Sequence, residues 1–306
     1  MLKEIAIITI SVTNLSSVEE AYSRYFGYET VDRGAVSEEL AELWQAPSML
    51  EKNYVLMRPA KMSPVYLRFI ENDPVDSYAP MQTYGWNAFE LVVKSPDALV
   101  PHLQNSPFEV LGPPKDLYPA AGSPRVMQVR GPANEIIYLT RPAGSEKIGT
   151  YEDTFVGRSF IVINGGPNMS TLQNYYSDNY GMPVAPAQDY AITIISRLND
   201  KPLDTKYPLS VVPLPSGSLI ELDEYPYFAS PREIKPGFIP SGIASVSFTA
   251  NTLDLVKTKW ISEPRIITAM PYNGRRAGLL QGAAGEWIEL IEAEITEAEL
   301  PTETQP

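Results

Sequence analysis

The segment Gly131-Pro132-Ala133-Asn134-Glu135-Ile136-Ile137-Tyr138-Leu139 has an echo in Gly282-Ala283-Ala284-Gly285-Glu286-Trp287-Ile288-Glu289-Leu290. Glycine, alanine, glutamate, isoleucine and leucine coincide without a gap at an offset of 151 in a chain of 306 residues. Both stretches read as a turn followed by a half-buried strand. The same offset carries the β-branched run Ile5–Val12 near Val156–Ile163. A chain that repeats itself at half its length is internally duplicated, and its fold must be a doubled one.

Each half divides again. Ile5–Val12 reads as a strand, and Val18, Ala21, Tyr22, Tyr25 and Phe26 follow at helical spacing, with Gly27 as the stop. Strands are expected at Thr30–Val36, Tyr54–Arg58 and Val65–Ile70, with a helical insertion at Ser37–Gln45. The pattern restarts at Trp86, at Arg158 and at Ile243. The third unit is expected to include a strand at Ala191–Ile195, and the fourth a helix at Leu253–Trp260. The reading is an N-terminal domain over 1–142, a linker over 143–156, a C-terminal domain over 157–293 and an acidic tail over 294–306.

Composition removes whole classes of chemistry. The chain has one histidine, His102, and no cysteine. That excludes a disulfide scaffold, a catalytic cysteine, zinc on cysteine ligands and any site needing two histidines from one chain. A formal charge of −13 opposes binding to nucleic acid or an anionic membrane. No apolar run is long enough to span a bilayer and the first residues do not read as a secretory leader, so a cytoplasmic location is expected. No phosphate-binding loop, dinucleotide fingerprint or nucleophile elbow occurs.

The order strand, helix, three strands, repeated four times, resembles the vicinal oxygen chelate superfamily. That superfamily includes glyoxalase I, the extradiol dioxygenases, and the fosfomycin- and bleomycin-resistance proteins. The marks are the Asn14-Leu15 and Tyr25-Phe26-Gly27 pair flanking the first helix and the Gly-x-x-x-Glu-x-Ile-x-Leu closing strands. The resemblance implies an α+β fold of four βαβββ units forming two tandem glyoxalase-like domains. Each would be a curled mixed sheet enclosing a cup, the first from the first two units and the second from the last two. It also implies metal ligands on opening and closing strands. Those positions carry over onto Ile7, Ala88, Tyr138 and the vicinity of Glu71 in the first cup. In the second they fall on Arg158, Ser245, Glu221 and Glu289. Histidine stands at none of them, and arginine repels a cation, so no metal and no other cofactor is expected, the alternative being a hard cation, Mg²⁺ or Ca²⁺, on carboxylates alone.

Glu289 is the best-matched survivor. Strand alternation puts it on one face with Trp287 and Ile291, where it would act as a general acid or base, or be a relic whose charge Arg158 meets across the sheet. Arg158 would steady negative charge on a substrate, or else be a strand-end arginine in water. Glu221 and Asp223 share a face, Ser245 leaves room for a ligand, and Tyr138 lines a cup wall. The aromatic, proline-rich stretch from Tyr225 to Phe238 reads as a cover for the second cup. The function expected is metal-independent proton transfer on a small aromatic or carbonyl-bearing substrate, of isomerase, lyase or ring-opening type. The alternatives are a non-catalytic small-molecule binder and a scaffold whose cups are filled by side chains. The partner expected is a small molecule, and a homodimer is compatible with the sequence.

Overall fold

The computed structural model describes residues 2–60, 65–143 and 154–293. The expected linker and tail lie mostly outside them. The first unit runs β1 (Leu2–Val12), α1 (Leu15–Ala21) with a π-helical turn at Tyr22–Phe26, β2 (Tyr28–Ala35), α2 (Glu38–Leu43), β3 (Asn53–Pro59) and β4 (Tyr66–Glu71). The second is β5 (Gly85–Val93), α3 (Pro96–Leu103), β6 (Glu109–Asp116), β7 (Arg125–Arg130) and β8 (Ile136–Arg141). The third is β9 (Val156–Gly166), α4 (Met169–Tyr180), β10 (Gln188–Ala191), α5 (Thr193–Leu198), β11 (Lys206–Pro213) and β12 (Leu219–Glu224). The fourth is β13 (Ile243–Ala250), β14 (Trp260–Ile266), β15 (Arg276–Gln281) and β16 (Trp287–Glu292). This is the α+β architecture expected from the repeat, with a helix after the opening strand in the first three units and none in the fourth.

Local chemistry sets the helix ends. Asn14 accepts a hydrogen bond from the Ser17 amide and caps α1, and Asn168 does the same for α4 through the Thr171 amide. Gly27 and Gly181 end the first and fourth helical segments in the left-handed region, at φ 70° and 61°.

Two expected elements change. Residues 253–260 form no helix. Leu253 is buried and Val256 and Trp260 pack partly against the core, but Leu255 is 75% exposed and Lys257 and Lys259 break the apolar run, so the segment lacks a continuous buried face. Residues 193–198 are helical, because Ile194, Ile195 and Leu198 make one face that packs on a sheet, and short apolar runs do not distinguish helix from strand.

The strands form two eight-stranded mixed sheets. Sheet one has the order β14-β15-β16-β13-β1-β4-β3-β2, and sheet two the order β10-β11-β12-β9-β5-β8-β7-β6. Unit one therefore pairs with unit four, and unit two with unit three. This corrects the expected grouping of units within each half. The joins are the antiparallel pairs β1–β13 and β5–β9, where two opening strands meet along their free edges. Alternation within a strand is the same whichever unit supplies the neighbour, so the pattern could not select the partner.

One face of each sheet feeds a common core. Ile8, Phe69, Phe248 and Ile288 from sheet one meet Phe89, Leu91, Ile137 and Val162 from sheet two, with α1, α3 and α4 packed among them. The opposite faces line two separate cups. The repeated Gly-x-x-x-Glu turns sit in the structure as equivalents. Glu135 accepts from the Ala133 amide (2.8 Å) and the Tyr22 hydroxyl (2.6 Å); Glu286 accepts from the Ala284 amide (2.8 Å) and Asn164 Nδ2 (2.7 Å). A Cβ on Gly131 or Gly282 would lie 2.0 Å from the carboxylate of Glu135 or Glu286. The carboxylate folded over the glycine is why both residue types recur.

Candidate functional site

The cup of sheet one is filled. Its floor carries Ile7, Thr9, Arg68, Ser247 and Glu289, and its mouth is occupied by Leu40, Leu43 and Trp44 at the end of α2 and by Ile267 and Tyr272. Trp287, Glu289 and Ile291 share the cup face, with Ile288 and Leu290 on the core face, as alternation required. Glu289 is sealed from water and fully engaged. Oε1 accepts from Ser247 Oγ (2.6 Å) and from the Tyr272 hydroxyl (2.8 Å). Oε2 accepts from Trp44 Nε1 (3.0 Å) and lies 3.8 Å from Arg68 Nη2. The guanidinium in turn donates to Thr9 Oγ1 (2.9 Å) and to the Tyr272 hydroxyl (2.8 Å), and stacks over Trp44 at 4.8 Å. Burial alone would lower the Arg68 pKa, but Tyr272 and Glu289 outweigh it and raise it.

The cation beside Glu289 is thus Arg68, a residue absent from the sequence-level candidates. Arg158 lies on β9 of the other sheet and donates to Ser218 Oγ (2.9 Å) and the Ser159 carbonyl (3.2 Å). The expected ion pair between Glu289 and Arg158 does not form, because units three and four contribute to different sheets. Ser245 is buried on β13 opposite Trp287, and Ser247 is the residue opposite Glu289. The signal for Arg68 was present: an arginine inside the apolar run Val65–Ile70, on the Tyr66 and Ile70 face.

The cup of sheet two is built differently. Glu90 on β5, Tyr138 on β8, and Glu221 and Asp223 on β12 share its face with Ala88, Ile136, Ile161 and Ile163. Glu90 Oε2 accepts from Thr140 Oγ1 (2.8 Å). Asp223 is fully buried, yet neither carboxylate oxygen has a hydrogen-bond partner, and the buried Tyr138 hydroxyl has none either. None of the salt bridges among the described residues reaches Glu90, Glu221 or Asp223. Glu221 and its strand neighbours Val211 and Leu219 keep part of their surface exposed to water.

Electrostatics follow from that crowding. Burial raises Glu90 to about 7, with the Thr140 hydrogen bond opposing. Burial and then the charge of Glu90 raise Asp223 to about 8. Burial, then Asp223 and Glu90, push Glu221 well above the carboxylate range. The Tyr138 phenol is pushed up by burial and by all three carboxylates.

Strand register relates the two cups. Ser247 pairs with Glu289 and with Ile7, while Glu90 pairs with Tyr138 and with Ile161. One step along, Thr9 pairs with Arg68 and Ile163 with Glu221. Tyr138 therefore occupies the place of Glu289, and Glu221 the place of Arg68. The stretch expected as a cover serves both cups: Tyr225 and Phe228 pack on sheet two, Phe238 and Ile239 on sheet one.

The metal set of the resembled superfamily does not fit either cup. In sheet one Arg68 and three neutral donors already take the oxygens of Glu289. In sheet two, as elsewhere among the described residues, no group of three or more His, Cys, Asp or Glu is drawn together closely enough to hold a metal ion. No described helix is long and apolar enough to cross a membrane.

No family model matches this chain, and no curated protein does. Solved structures do match it. Glyoxalase I from Zea mays is 14% identical, with 95% of this chain and 92% of that chain covered and a TM-score of 0.64. A mutant of the Zea mays glyoxalase I gives 13% identity, coverages of 95% and 94%, and a TM-score of 0.65. A putative dioxygenase from Bacillus subtilis is 11% identical, with 95% and 85% covered and a TM-score of 0.57. At these identities the likeness is one of fold.

Proposed function

We propose that this chain, which has the tandem glyoxalase fold of the vicinal oxygen chelate proteins, is a small-molecule enzyme that moves a proton without a metal ion, and that it works in the cup of sheet two. One observation supports this above the rest. Glu90 and Asp223, raised to about 7 and about 8, face an apolar cup together with an unpartnered Tyr138 hydroxyl. A group that titrates near neutrality exchanges its proton most effectively at physiological pH. Glu90 and Asp223 are assigned the storage of a proton near neutrality, Glu221, the acid that retains access to water, its exchange with substrate and solvent, and Tyr138 the hydrogen bond that orients the substrate. The apolar walls at Ile161, Ile163 and Leu219 suit an aromatic or alkyl body on that substrate.

In this reading Glu289, Ser245 and Trp287 belong to a structural cup, and Arg158 holds the start of β9 against Ser218. The second reading, a non-catalytic binder, is favoured by one feature: among the described residues no cation pairs with the sheet-two acids to steady developing negative charge.

The test is hydrogen exchange into bound compounds. A panel of small aromatic carbonyl and amino compounds is incubated with the protein in D2O, and loss of their acidic C–H signals is followed by proton NMR. Enzyme-dependent exchange that is lost in Glu221→Gln at ligand concentrations saturating both proteins supports the enzyme. Binding without exchange supports the binder. Exchange that survives in Glu221→Gln but is lost in Glu289→Gln, with both variants folded, would place the chemistry in sheet one and sink the proposal.

A further inference from the structure

We infer that the cup of sheet two takes a small organic cation, a protonated amine on an apolar body, with Glu221 and Asp223 as its counter-charges. The inference rests on the reading of this cup as a binding site and names its ligand class.

Sheet one shows what a buried carboxylate in such a cup requires. Glu289 has a guanidinium at 3.8 Å and three hydrogen-bond donors. Sheet two holds Glu90, Glu221 and Asp223 in the equivalent space, and the position of its missing cation is itself an acid, Glu221 in place of Arg68. Among the described residues one side-chain donor reaches this group, Thr140 to Glu90. Asp223 is fully buried with both oxygens unpartnered, and the Tyr138 hydroxyl, more than nine-tenths buried among the carboxylates, is unpartnered too. Unpaired buried polar groups are costly, so their concentration on one face is a demand for donors from outside the chain.

The chemistry of the occupant follows by comparison. An anion would meet three acids. A neutral alcohol offers one donor and carries no charge that would favour ionisation of the three acids. A bare metal ion needs oxygens drawn together, and they are not. An ammonium group supplies three donors and a full charge. Its hydrocarbon body then lies against Ile161, Leu219 and Val211, of which the last two keep accessible surface. Glu90 and Asp223, raised by burial to about 7 and about 8, hold protons near neutral pH, so entry of a cation expels protons to the solvent.

The experiment is isothermal titration of the full chain at pH 7 with benzylamine, cyclohexylmethylamine and butylamine, each against its matched alcohol, and with benzoate, Mg²⁺ and Ca²⁺ alone. Two buffers of different ionisation enthalpy report proton release. The amines should bind at least about tenfold tighter than the alcohols, with proton release. Glu221→Gln and Asp223→Asn should each remove that preference while keeping alcohol affinity and without lowering the thermal unfolding temperature. Equal affinity for amine and alcohol, tighter binding of either metal ion, unchanged amine affinity in both variants, or no binding by any amine would overturn the inference. A cup-filling variant, Leu219→Trp, separates the two readings. If alcohol or benzoate binds the native chain and is lost in Leu219→Trp, the cup remains the binding site and only the cation class fails. If ligands bind equally to the filled cup, both fail together.

Discussion

Arg68 Nη2 stands 3.8 Å from Glu289 Oε2, with both side chains sealed from water in the cup of sheet one. The two residues come from units at opposite ends of the chain, on β4 and β16. Their ion pair is the centre of a network through Thr9, Trp44, Tyr272 and Ser247. It joins the first unit to the fourth across four strands of one sheet.

Removing one partner leaves the other charged and buried. Arg68→Met or Glu289→Leu should each lower unfolding free energy by about 3–5 kcal/mol. The double variant should cost clearly less than the sum, because neither charge then remains. Urea unfolding at pH 7 measures all four species. Additive losses would show that the pair is not coupled.

The carboxyl groups that burial raises make stability depend on pH. Glu90, Glu135 and Glu286 are raised to about 7 and Asp223 to about 8. In the unfolded chain they titrate near 4. Between those limits the folded state holds protons that the unfolded state has released, so stability is greatest on the acid side and falls as pH rises through about 5 to 8. The urea midpoint should decline across that window. Glu90→Gln and Asp223→Asn should flatten the decline and raise stability at pH 8. A midpoint that rises with pH through the same window would contradict these assignments.

The turn glycines and glutamates should behave as units. A Cβ at Gly131 or Gly282 meets the partner carboxylate at 2.0 Å. Gly131→Ala should therefore destabilise by about 1–3 kcal/mol, as overpacking does. Glu135→Ala removes the obstacle together with the hydrogen bonds to Tyr22 and Ala133. In the background of Glu135→Ala the glycine substitution should cost little. A double-mutant cycle by thermal unfolding reads the coupling, and the Gly282–Glu286 pair should repeat it.

Tyr138 separates stability from binding. Its buried hydroxyl has no partner. Tyr138→Phe should leave stability unchanged or raise it by up to about 1 kcal/mol, since an unsatisfied polar group is removed. The same change should weaken ligand binding if the hydroxyl points at the occupant. Thermal unfolding and titration on one preparation test both halves of the statement. A marked loss of stability would mean that Tyr138 has a partner in solution.

Much of the site's raw material was readable along the chain. Alternation alone put Trp287, Glu289 and Ile291 on one face and Glu221 with Asp223 on another. The glycine and glutamate of the repeat marked equivalent turns, because a carboxylate folded over a glycine is a local motif carried wholly within a few residues. One histidine and no cysteine excluded most metal chemistry before any fold was known.

What the strands do with their free edges was decided only in three dimensions. The opening strand of each unit offers the same unpaired backbone groups to any other opening strand, so nothing local distinguishes β1–β13 from a pairing within one half. That choice sends Glu289 to Arg68 and away from Arg158, and fills one cup with Trp44 and Tyr272. It also gathers Glu90 from the second unit with Glu221 and Asp223 from the third, three acids whose altered chemistry comes from burial beside one another. Periodicity determined which side of its own sheet each residue faces. Long-range edge pairing determined which residues meet there, and so which cup sets an arginine against its carboxylate and which, among the described residues, gathers three acids with no cation paired to them.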